Sequence, residues 1–491
     1  MKVLLVSFFN DEAYGVRSIH SNLIKNGVDT YMLFFKLSNK PKETTARDEF
    51  VVDLENASNE EVELLVSHIK ENKYDIVGFS LVSQNFNLYK KIYGRIKDIT
   101  NMSVVIGGWQ VSLNPDECIN YTDFLCIGEG EDPMCELVEK IDKRDSTYNI
   151  ENFWIRLDNG IFKNPVRPLR RDLSSLPVPL FDHKYSYVID NNEIKNEDPY
   201  YYNDRYGTFI SRGCPYKCTY CSNSYMAKKV YPFQWSKSRQ RSMDHVKEEL
   251  LSVKDKLNVE SINFYDEVFT PKLEWISDFF GWYKEEIKIP FYVFFYPGMC
   301  NDEKAKILAN SGLAGVWLGV QSGSEKIRKE IFKRFYTNKC ILEQANIFYK
   351  YGISVKYDFI FDNPFETFEE SVESICLMLE LPRPCSVNLF SLKYFPNTEI
   401  TEMAKKRGFI TNLELCDNYK KDYDTYSIHQ NRGNLDNRFV NHLAFYISNI
   451  LDKPITCSKK DEILGLIGDY RISKDIEPVK LLVKPYLDNK L

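Results

Sequence analysis

The chain has 491 residues, so a usual domain length of about 100–200 residues predicts two to four domains. Its formal net charge of −6 argues against the basic surface typical of proteins that bind nucleic acids. No apolar run reaches the roughly 18 residues of a membrane helix, and no signal-peptide cleavage site follows the apolar start, so we expect a cytoplasmic protein without a membrane partner.

Residues 1–142 alternate apolar strands with helical segments. The predicted strands are 3–8, 28–35, 75–83, 103–108 and 124–127, and the predicted helices are 15–25 and 87–99. Helices between nearly continuous apolar strands predict a doubly wound, Rossmann-like parallel sheet. Ligands of such sheets lie beyond the carboxyl ends of the strands, where this chain places two pairs of glycines.

A second alternating region follows a polar, proline-containing segment at 143–205, which we interpret as a connection. Between residues 206 and 400 the pattern repeats at about 30-residue intervals, as in βα units. The predicted strands are 208–212, 261–265, 291–295, 316–320, 355–361 and 387–392, with helices at 246–256, 275–286, 304–310 and 368–381. Six such units predict a partial (β/α)6 TIM-like barrel with its active site at the carboxyl ends of the strands. Residues 401–491 have a mostly helical pattern, typical of a capping or substrate region.

Three of the 12 cysteines lie close together after the first predicted barrel strand, at Cys214, Cys218 and Cys221. Clustered cysteines in a reducing compartment bind metal more often than they form disulfides. Three thiolates at this spacing can bind three corners of a [4Fe–4S] cube, which leaves the fourth iron open, as in catalytic sites. A structural zinc site would need a fourth ligand nearby, and the next histidine, His245, stands alone.

This run resembles the hallmark of the radical SAM superfamily, Cys-x-x-x-Cys-x-x-Cys with an aromatic residue, here Tyr220, before the last cysteine. The resemblance covers roughly residues 205–400. It implies that the open iron binds S-adenosylmethionine (SAM), with Tyr220 nearby, and that one electron cleaves SAM to methionine and a 5′-deoxyadenosyl radical. It also implies a small-molecule substrate and an electron donor such as flavodoxin or ferredoxin. The protein's part is to exclude water and competing hydrogen donors.

The resemblance places SAM contacts after the second and fourth barrel strands. Asp266, and after it Glu267, would lie near the SAM amino group. Gln321 and Ser322 match a segment that contacts the ribose and methionine, although many members have Glu at the position of Gln321.

Later positions complete this series of SAM contacts. Arg334 would pair with the SAM carboxylate, and Asp358 with residues 362–367 would close over adenine. Taken alone, each of these residues is equally suited to a turn or a helix cap, as Thr367 is to an N-cap.

Three strand-to-loop junctions mark the N-terminal domain: Val77-Gly78-Phe79-Ser80-Leu81-Val82-Ser83, Ile106-Gly107-Gly108-Trp109 and Ile127-Gly128-Glu129-Gly130-Glu131. They resemble the cobalamin-binding domains of cobalamin-dependent radical SAM enzymes. The resemblance implies cobalamin contacts at Ser80, Ser83, Gly107, Gly108, Gly128, Glu129 and Gly130. Purely structural turns without cobalamin are the alternative, because glycine turns occur in every doubly wound sheet.

One position departs from the cobalamin-binding pattern. Cobalamin mutases carry Asp-x-His-x-x-Gly, whose histidine ligates cobalt, whereas this chain has Ala13 two residues after Asp11. Many radical SAM relatives also lack that histidine, which implies that cobalamin can bind base-off without a protein ligand. His20, on the following helix, is expected to be a surface or packing residue.

The pairing of these domains predicts a cobalamin-dependent radical SAM methyltransferase acting on an unactivated carbon, or on phosphorus, of a small molecule. A non-methylating radical cyclisation or rearrangement is the first alternative, and it would yield 5′-deoxyadenosine alone. A tRNA methylthiotransferase would need a second cysteine set, for which Cys118, Cys126 and Cys135 are the candidates in the N-terminal domain. A non-enzymatic cobalamin-sensing protein would need a vestigial cluster, against which the intact cysteine motif argues.

Overall fold

The computed structural model describes residues 1–37, 57–100, 102–411 and 433–488. Parts of the predicted C-terminal region, 412–432 and 489–491, lie outside these described residues. The described chain divides into two compact units. The first comprises described residues of 1–216, 221–260 and 394–411, and the second comprises those of 217–220, 261–393 and 433–488. Within the described ranges, no helix combines the length and the apolar character needed to cross a membrane.

Strands and helices alternate along most of the chain. The strands are β1 (Lys2–Phe8), β2 (Asp29–Phe35), β3 (Ile76–Ser80), β4 (Ser103–Gly107), β5 (Phe124–Cys126), β6 (Phe153–Leu157), β7 (Gly160–Lys163), β8 (Ser186–Asp190), β9 (Glu193–Lys195), β10 (Arg205–Thr208), β11 (Ser211–Arg212), β12 (Arg239–Gln240), β13 (Ser261–Phe264), β14 (Phe291–Phe295), β15 (Leu313–Gln321), β16 (Ser354–Phe361) and β17 (Ser386–Ser391). The helices are α1 (Tyr14–Lys25), α2 (Asn59–Glu71), α3 (Phe86–Ile99), α4 (Trp109–Leu113), α5 (Pro115–Cys118), α6 (Glu131–Asp142), α7 (Ser222–Tyr225), α8 (Met243–Lys256), α9 (Leu273–Glu286), α10 (Asp302–Asn310), α11 (Asn338–Lys350), α12 (Phe368–Glu380), α13 (Glu399–Lys406), α14 (Leu435–Ser448), α15 (Cys457–Ser473) and α16 (Glu477–Asp488).

The first unit is built on a sheet with the strand order β7-β6-β5-β4-β3-β1-β2-β8-β9. Pairing is parallel from β5 to β8 and antiparallel at both edges. Residues of α2 and α3 bury apolar side chains against one face, and residues of α1 and α6 against the other. Helices therefore cover both faces of the sheet, as the doubly wound prediction requires.

Two details of the first unit differ from the sequence predictions. Four short strands, β6 to β9, occur within 143–205, where the sequence indicated few regular elements. The predicted strand 208–212 is wrong in its bounds, because β10 ends at Thr208 and β11 pairs antiparallel with β12 instead. The cysteine run therefore follows a short two-stranded ribbon.

In the second unit, β13 to β17 are parallel neighbours in sequence order, and α9 to α12 separate them along the chain. This is the strand–helix alternation that the sequence predicted. A register shift between Gly319 and Gln321 interrupts the pairing of β15 with β16 before its last pair, and Gln321 has a φ of 71°. A left-handed residue other than glycine is strained and occurs often at functional sites. The described chain after β17 is helical, as predicted.

Candidate functional site

The cysteine run leaves the two-stranded ribbon through a tight turn at Gly213. This glycine has a φ of 102°, and a Cβ there would lie 2.5 Å from the carbonyl oxygen of Trp235. A side chain would therefore collide with backbone, which explains the glycine. Cys214, the next residue, is buried, and Cys221 is half-buried.

The middle of the run, residues 217–220, belongs to the second unit and is bound to the segment after the turn at Ile327–Ile331. The Thr219 hydroxyl donates to the carbonyl oxygen of Ile331 at 2.7 Å, and its backbone N–H donates to that of Phe332 at 3.3 Å. The ring of Tyr220 packs edge-on against Phe332, with centroids 5.1 Å apart. These contacts fix the chain immediately after Cys218.

Arg334 is a charged side chain that contacts this part of the run. Its Nη1 donates to Cys218 Sγ at 3.4 Å and to the Tyr220 hydroxyl at 3.1 Å. Its Nη2 donates to the carbonyl oxygen of Gly319, and its Nε to the Tyr336 hydroxyl, both at 2.7 Å. Burial disfavours the charge, yet the neighbouring Tyr220, Tyr336 and Cys218 raise the pKa of Arg334 well above its usual range. Its pairing with the SAM carboxylate stays a prediction, because the structure brings it to Cys218.

The other predicted SAM contacts after β13 and β15 lie at strand ends. Asp266 is buried and Glu267 half-buried in the loop that follows β13. The Gln321 side chain folds back over Gly319, where a Cβ would lie 2.6 Å from Gln321 Nε2. The Ser322 hydroxyl donates to Glu366 at 2.9 Å and accepts from the N–H of Ser324. The Ser322 hydroxyl is therefore already hydrogen-bonded within the protein, to Glu366 and Ser324.

Two half-buried carboxyl residues lie on β16 and in the segment after it. Burial raises the pKa of Asp358 to about 6, although its Oδ1 accepts from Asn388 at 2.8 Å. Burial likewise raises the pKa of Glu366 to about 7, and its carboxylate accepts from the hydroxyls of Ser322 and Ser371. Strongly perturbed carboxyl groups cluster at functional sites. Sequence reasoning assigned Glu366 no separate role, because its burial is not visible in a local pattern.

The segment predicted to close over adenine lines a polar cavity of about 190 Å³ in the second unit. Asp362, with a φ of 53°, accepts from Asn441 of α14 at 2.8 Å. Thr367 caps α12 in a capping box with Glu370, so its alternative role as a helix cap is confirmed. A capping role does not exclude a ligand at the neighbouring residues.

The donor set of the run fits a cluster better than a single ion. Among the described residues, no three or more His, Cys, Asp or Glu side chains are grouped so that they could hold one metal ion. A mononuclear zinc site is therefore unsupported. A cubic cluster spreads its cysteines over different irons, so they need not converge on one point, and hydrogen bonds to its sulfurs are usual. Cys218, with its donor Arg334, has this arrangement.

In the first unit, two of the predicted cobalamin contacts lie at strand ends with room beside them. Ser80, the last residue of β3, is exposed. Gly107 ends β4, and the nearest atoms to a Cβ placed there belong to Cys126 at 3.8 Å, so a ligand could approach its backbone. Two others are used by the protein itself. Gly108 is pressed against the backbone of Leu81, and the buried Ser83 hydroxyl donates to Gln110 at 2.7 Å.

The third predicted cobalamin loop is packed against the protein. A Cβ on Gly128 would lie 2.0 Å from the Tyr231 hydroxyl, which accepts from the N–H of Glu129. Glu129 forms an ion pair with Arg239 at 2.6 Å, and Gly130 abuts Ile19. These contacts give Gly128, Glu129 and Gly130 a structural role in packing this loop. Their contact with cobalamin stays a prediction.

The position of the family's cobalt-ligating histidine is held by a core residue. Ala13 is buried with a φ of 39°, and its N–H donates to Asn10 at 2.9 Å. A methyl group offers cobalt no ligand. His20 is fully buried beside Tyr185, so of the two expected placements, at the surface or in the packing, the structure shows the second.

We expect His20 to make folding sensitive to acid. Burial, and to a lesser extent Arg17, lowers its pKa to about 4 from 6.5, and neither ring nitrogen has a hydrogen-bond partner in the described chain. The unfolded chain then binds a proton below about pH 6.5 that the native state does not bind until about pH 4, so stability falls over this window. At pH 5 the loss is about 2 kcal/mol.

Urea titrations at pH 7.5 and pH 5 measure this effect. A His20→Leu variant should lose less stability between the two pH values than the wild type does. His183, which is half-buried, provides the control variant His183→Gln. Equal acid sensitivity of the wild type and His20→Leu would contradict the prediction.

Comparisons with known proteins identify the two parts of the chain. The B12 binding domain model matches residues 14–138, and the radical SAM superfamily model matches residues 208–377. The chain therefore contains a B12-binding domain followed by a radical SAM domain.

The curated relatives include named methyltransferases. The chain is 27% identical over 362 residues to an uncharacterised methyltransferase of Pyrococcus horikoshii, covering 72% of this chain and 73% of the relative. It is 24% identical over 302 residues to the cytidylyl-2-hydroxyethylphosphonate methyltransferase of Streptomyces wedmorensis, covering 55% of this chain and 54% of the relative.

Solved structures share the fold. The methyltransferase TsrM of Kitasatospora setae, with tryptophan and a SAM analogue bound, has a TM-score of 0.66 at 17% identity, covering 82% of this chain and 76% of its own. The cobalamin-dependent SAM radical enzyme OxsB, with aqua-cobalamin bound, has a TM-score of 0.65 at 15% identity, covering 99% of this chain and 75% of its own. The predicted fold class and the enzyme class, a radical SAM methyltransferase, are confirmed. The cofactors are a [4Fe–4S] cluster, SAM and cobalamin.

Proposed function

We propose that this protein transfers a methyl group from SAM to an unactivated carbon, or to phosphorus, of a small molecule, using cobalamin and a radical step. The observation that carries the proposal is the union of a B12-binding domain and an intact three-cysteine run in one chain. The names of the curated relatives support methyl transfer, and one of them names a phosphonate as the methylated compound. The structure of TsrM, described with tryptophan as its substrate, supports a small organic substrate.

The residues proposed for the cofactors follow from the two sites. Cys214, Cys218 and Cys221 would hold three irons of the cluster, leaving the fourth for SAM. Ser80 and Gly107, which are accessible at adjacent strand ends, are the strongest candidates to meet cobalamin. When bound, the cluster supplies the electron that cleaves SAM, and cobalamin supplies the carrier that accepts and donates the methyl group. A low-potential flavodoxin or ferredoxin is the proposed electron donor.

The SAM-binding side chains are proposed around β13, β15 and β16. Asp266 and Glu267 follow β13, and Gln321 and Ser322 end and follow β15. Asp358, half-buried on β16, completes the set. Their role would be to orient SAM and to keep water from the reacting bond.

Cysteines of the N-terminal domain, apart from the three-cysteine run, argue against a methylthiotransferase. Burial raises the pKa of Cys126 to about 12 and that of Cys135 to about 11, and it also raises the pKa of Cys118. Neutral thiols are poor metal ligands, because the thiolate is the binding form. Cys118 and Cys126 lie in the apolar cores of the sheet. The proposal therefore needs a single cluster.

The proposed function predicts a defined set of products. Balanced by atoms and electrons, one methyl transfer to R–H consumes two SAM and two electrons and yields R–CH3, S-adenosylhomocysteine, methionine and 5′-deoxyadenosine. Even without the substrate, anaerobic protein given SAM and dithionite should form S-adenosylhomocysteine only when hydroxocobalamin is added, and 5′-deoxyadenosine in either case. Chromatography of both products tests this. Formation of 5′-deoxyadenosine alone with cobalamin present would support the non-methylating alternative.

A further inference from the structure

The segment that carries Arg334 is held rigidly in the second unit. Lys333 has a φ of 55°, and the N–H of Arg334 donates to the carbonyl oxygen of Arg328 at 2.7 Å. Arg328, which is fully buried, donates in turn to the carbonyl oxygen of Tyr336 and to the Asn338 side chain. The Arg334 guanidinium lies over the ring of Tyr296, 4.3 Å from its centroid. Its direction is therefore set by the fold.

The buried charge of Arg334 forms no ion pair with a carboxylate of the described chain, and Asp358 interacts with it only electrostatically, without a contact. Only 7% of the residue is exposed, and among the described residues no Asp or Glu forms an ion pair with it. Four of the five N–H groups of a guanidinium are used, one of them on Cys218 Sγ. Burying an unpaired charge is costly, so a negative group is expected beside it.

A cluster bound by Cys218 would be that negative group. A [4Fe–4S]2+ core held by three thiolates has a formal charge of 2 − 3 = −1, and reduction by one electron makes it −2. A fixed cation hydrogen-bonded to a ligand sulfur stabilises the reduced form more than the oxidised form. Reduction potentials of such clusters are set in part by hydrogen bonds to sulfur.

We propose that Arg334 is a positioning residue that orients the Cys218 thiolate and eases the reduction [4Fe–4S]2+ + e− → [4Fe–4S]+, the electron coming from a low-potential one-electron donor. The inference rests on the cluster site of the proposed function. It gives Arg334 a role distinct from pairing with the SAM carboxylate, because its Nη1 and Nε hydrogens are bound to Cys218, Tyr220 and Tyr336. One Nη2 hydrogen remains for another acceptor.

Potentiometric titration of the reconstituted full-length protein tests this inference, with dithionite as the reductant and the EPR signal of the reduced cluster as the readout. Arg334→Met removes both charge and donors at similar size. We expect the equilibrium constant for reduction of its cluster to fall at least tenfold. This corresponds to a reduction potential about 59 mV more negative for one electron. Arg334→Lys keeps the charge but lacks the forked set of N–H donors, so its reduction potential should lie between those of Arg334→Met and the wild type.

A matched control comes from the same segment. Arg328→Lys alters a buried arginine whose donors meet Ser322, Tyr336 and Asn338 rather than a cysteine, so the potential should change far less than in Arg334→Met. An equal shift in Arg328→Lys would overturn the inference, because the effect would then be general. If Arg334→Met takes up no iron, Tyr336→Phe replaces it, since it loosens the guanidinium without removing the charge. A smaller shift in the same direction is then expected, and an unchanged potential overturns the inference.

SAM binding separates the two roles of Arg334. The affinity is measured from the change that SAM makes in the EPR spectrum. An unchanged potential in Arg334→Met with at least a tenfold loss of SAM affinity would overturn the inference in favour of carboxylate pairing. A wild-type protein that holds no cluster would overturn the proposed cluster site itself. If the wild type cleaves SAM and Arg334→Met has the same reduction potential as the wild type, only the proposed role of Arg334 is overturned.

Discussion

Cys218→Ala is expected to abolish the broad visible absorbance of the reconstituted protein and, with it, formation of 5′-deoxyadenosine. Two thiolates would remain for a cube that needs three anchors before SAM can take the fourth iron. The change also removes the sulfur that accepts from Arg334, leaving that buried guanidinium with one fewer partner. Iron and sulfide content, the visible spectrum and chromatography of the products measure the loss, which should reach background.

A control separates cluster loss from general damage. Cys300 is another buried cysteine, burial raises its pKa to about 12, and its thiol contacts a neighbouring carbonyl oxygen at 3.7 Å. Cys300→Ala should therefore keep the full iron content. The cluster assignment fails if a variant with alanine at Cys214, Cys218 and Cys221 retains as much iron as the wild type.

The features that the sequence predicted well are local. Apolar strands and the spacing of the cysteines are read within a few residues, and their bounds agree with the structure to within a few positions for β1, β2, β14 and β16. Helix α2 was missed although it has a readable signal, a capping box in which Ser58 accepts from the N–H of Glu61. The hydrogen bond between Arg334 and Cys218 joins residues 116 positions apart, so no local pattern in the sequence indicates it. Only the fold brings these two residues together.

The glycines of the cobalamin loops show why ligand contacts are hard to predict. A glycine is required both where a ligand approaches the backbone and where the protein packs against it. A Cβ placed on Gly107 would meet only Cys126 within 4 Å, whereas one on Gly128 would meet Tyr231, which lies 103 residues further along the chain. The sequence assigned both glycines to cobalamin, because the partner of Gly128 cannot be inferred from neighbouring residues.

Glu131→Ala is expected to destabilise the first unit by about 3 kcal/mol, because it breaks a buried ion pair and leaves the opposite charge behind. Glu131 Oε1 accepts from Arg212 Nη2 at 2.7 Å, and their side chains are only 8% and 14% exposed. Burial disfavours the carboxylate, but Arg212 and Ser18 lower the pKa of Glu131 below its usual range. The remaining acid near Arg212 is Glu129 at 3.5 Å, which already binds Arg239. Urea unfolding followed by tryptophan fluorescence measures the shift of the unfolding midpoint.

The neighbouring Asp132 provides the matched control for this pair. It binds Arg170 with both side chains about a third exposed, so Asp132→Ala should cost no more than about 1 kcal/mol. Arg212 lies two residues before Cys214, and Glu131 begins α6 of the B12-binding domain. Glu131→Ala should therefore also lower the iron content after reconstitution, whereas Asp132→Ala should not. Equal costs for the two variants, with equal iron, would mean that this ion pair does not link the domain to the cysteine run.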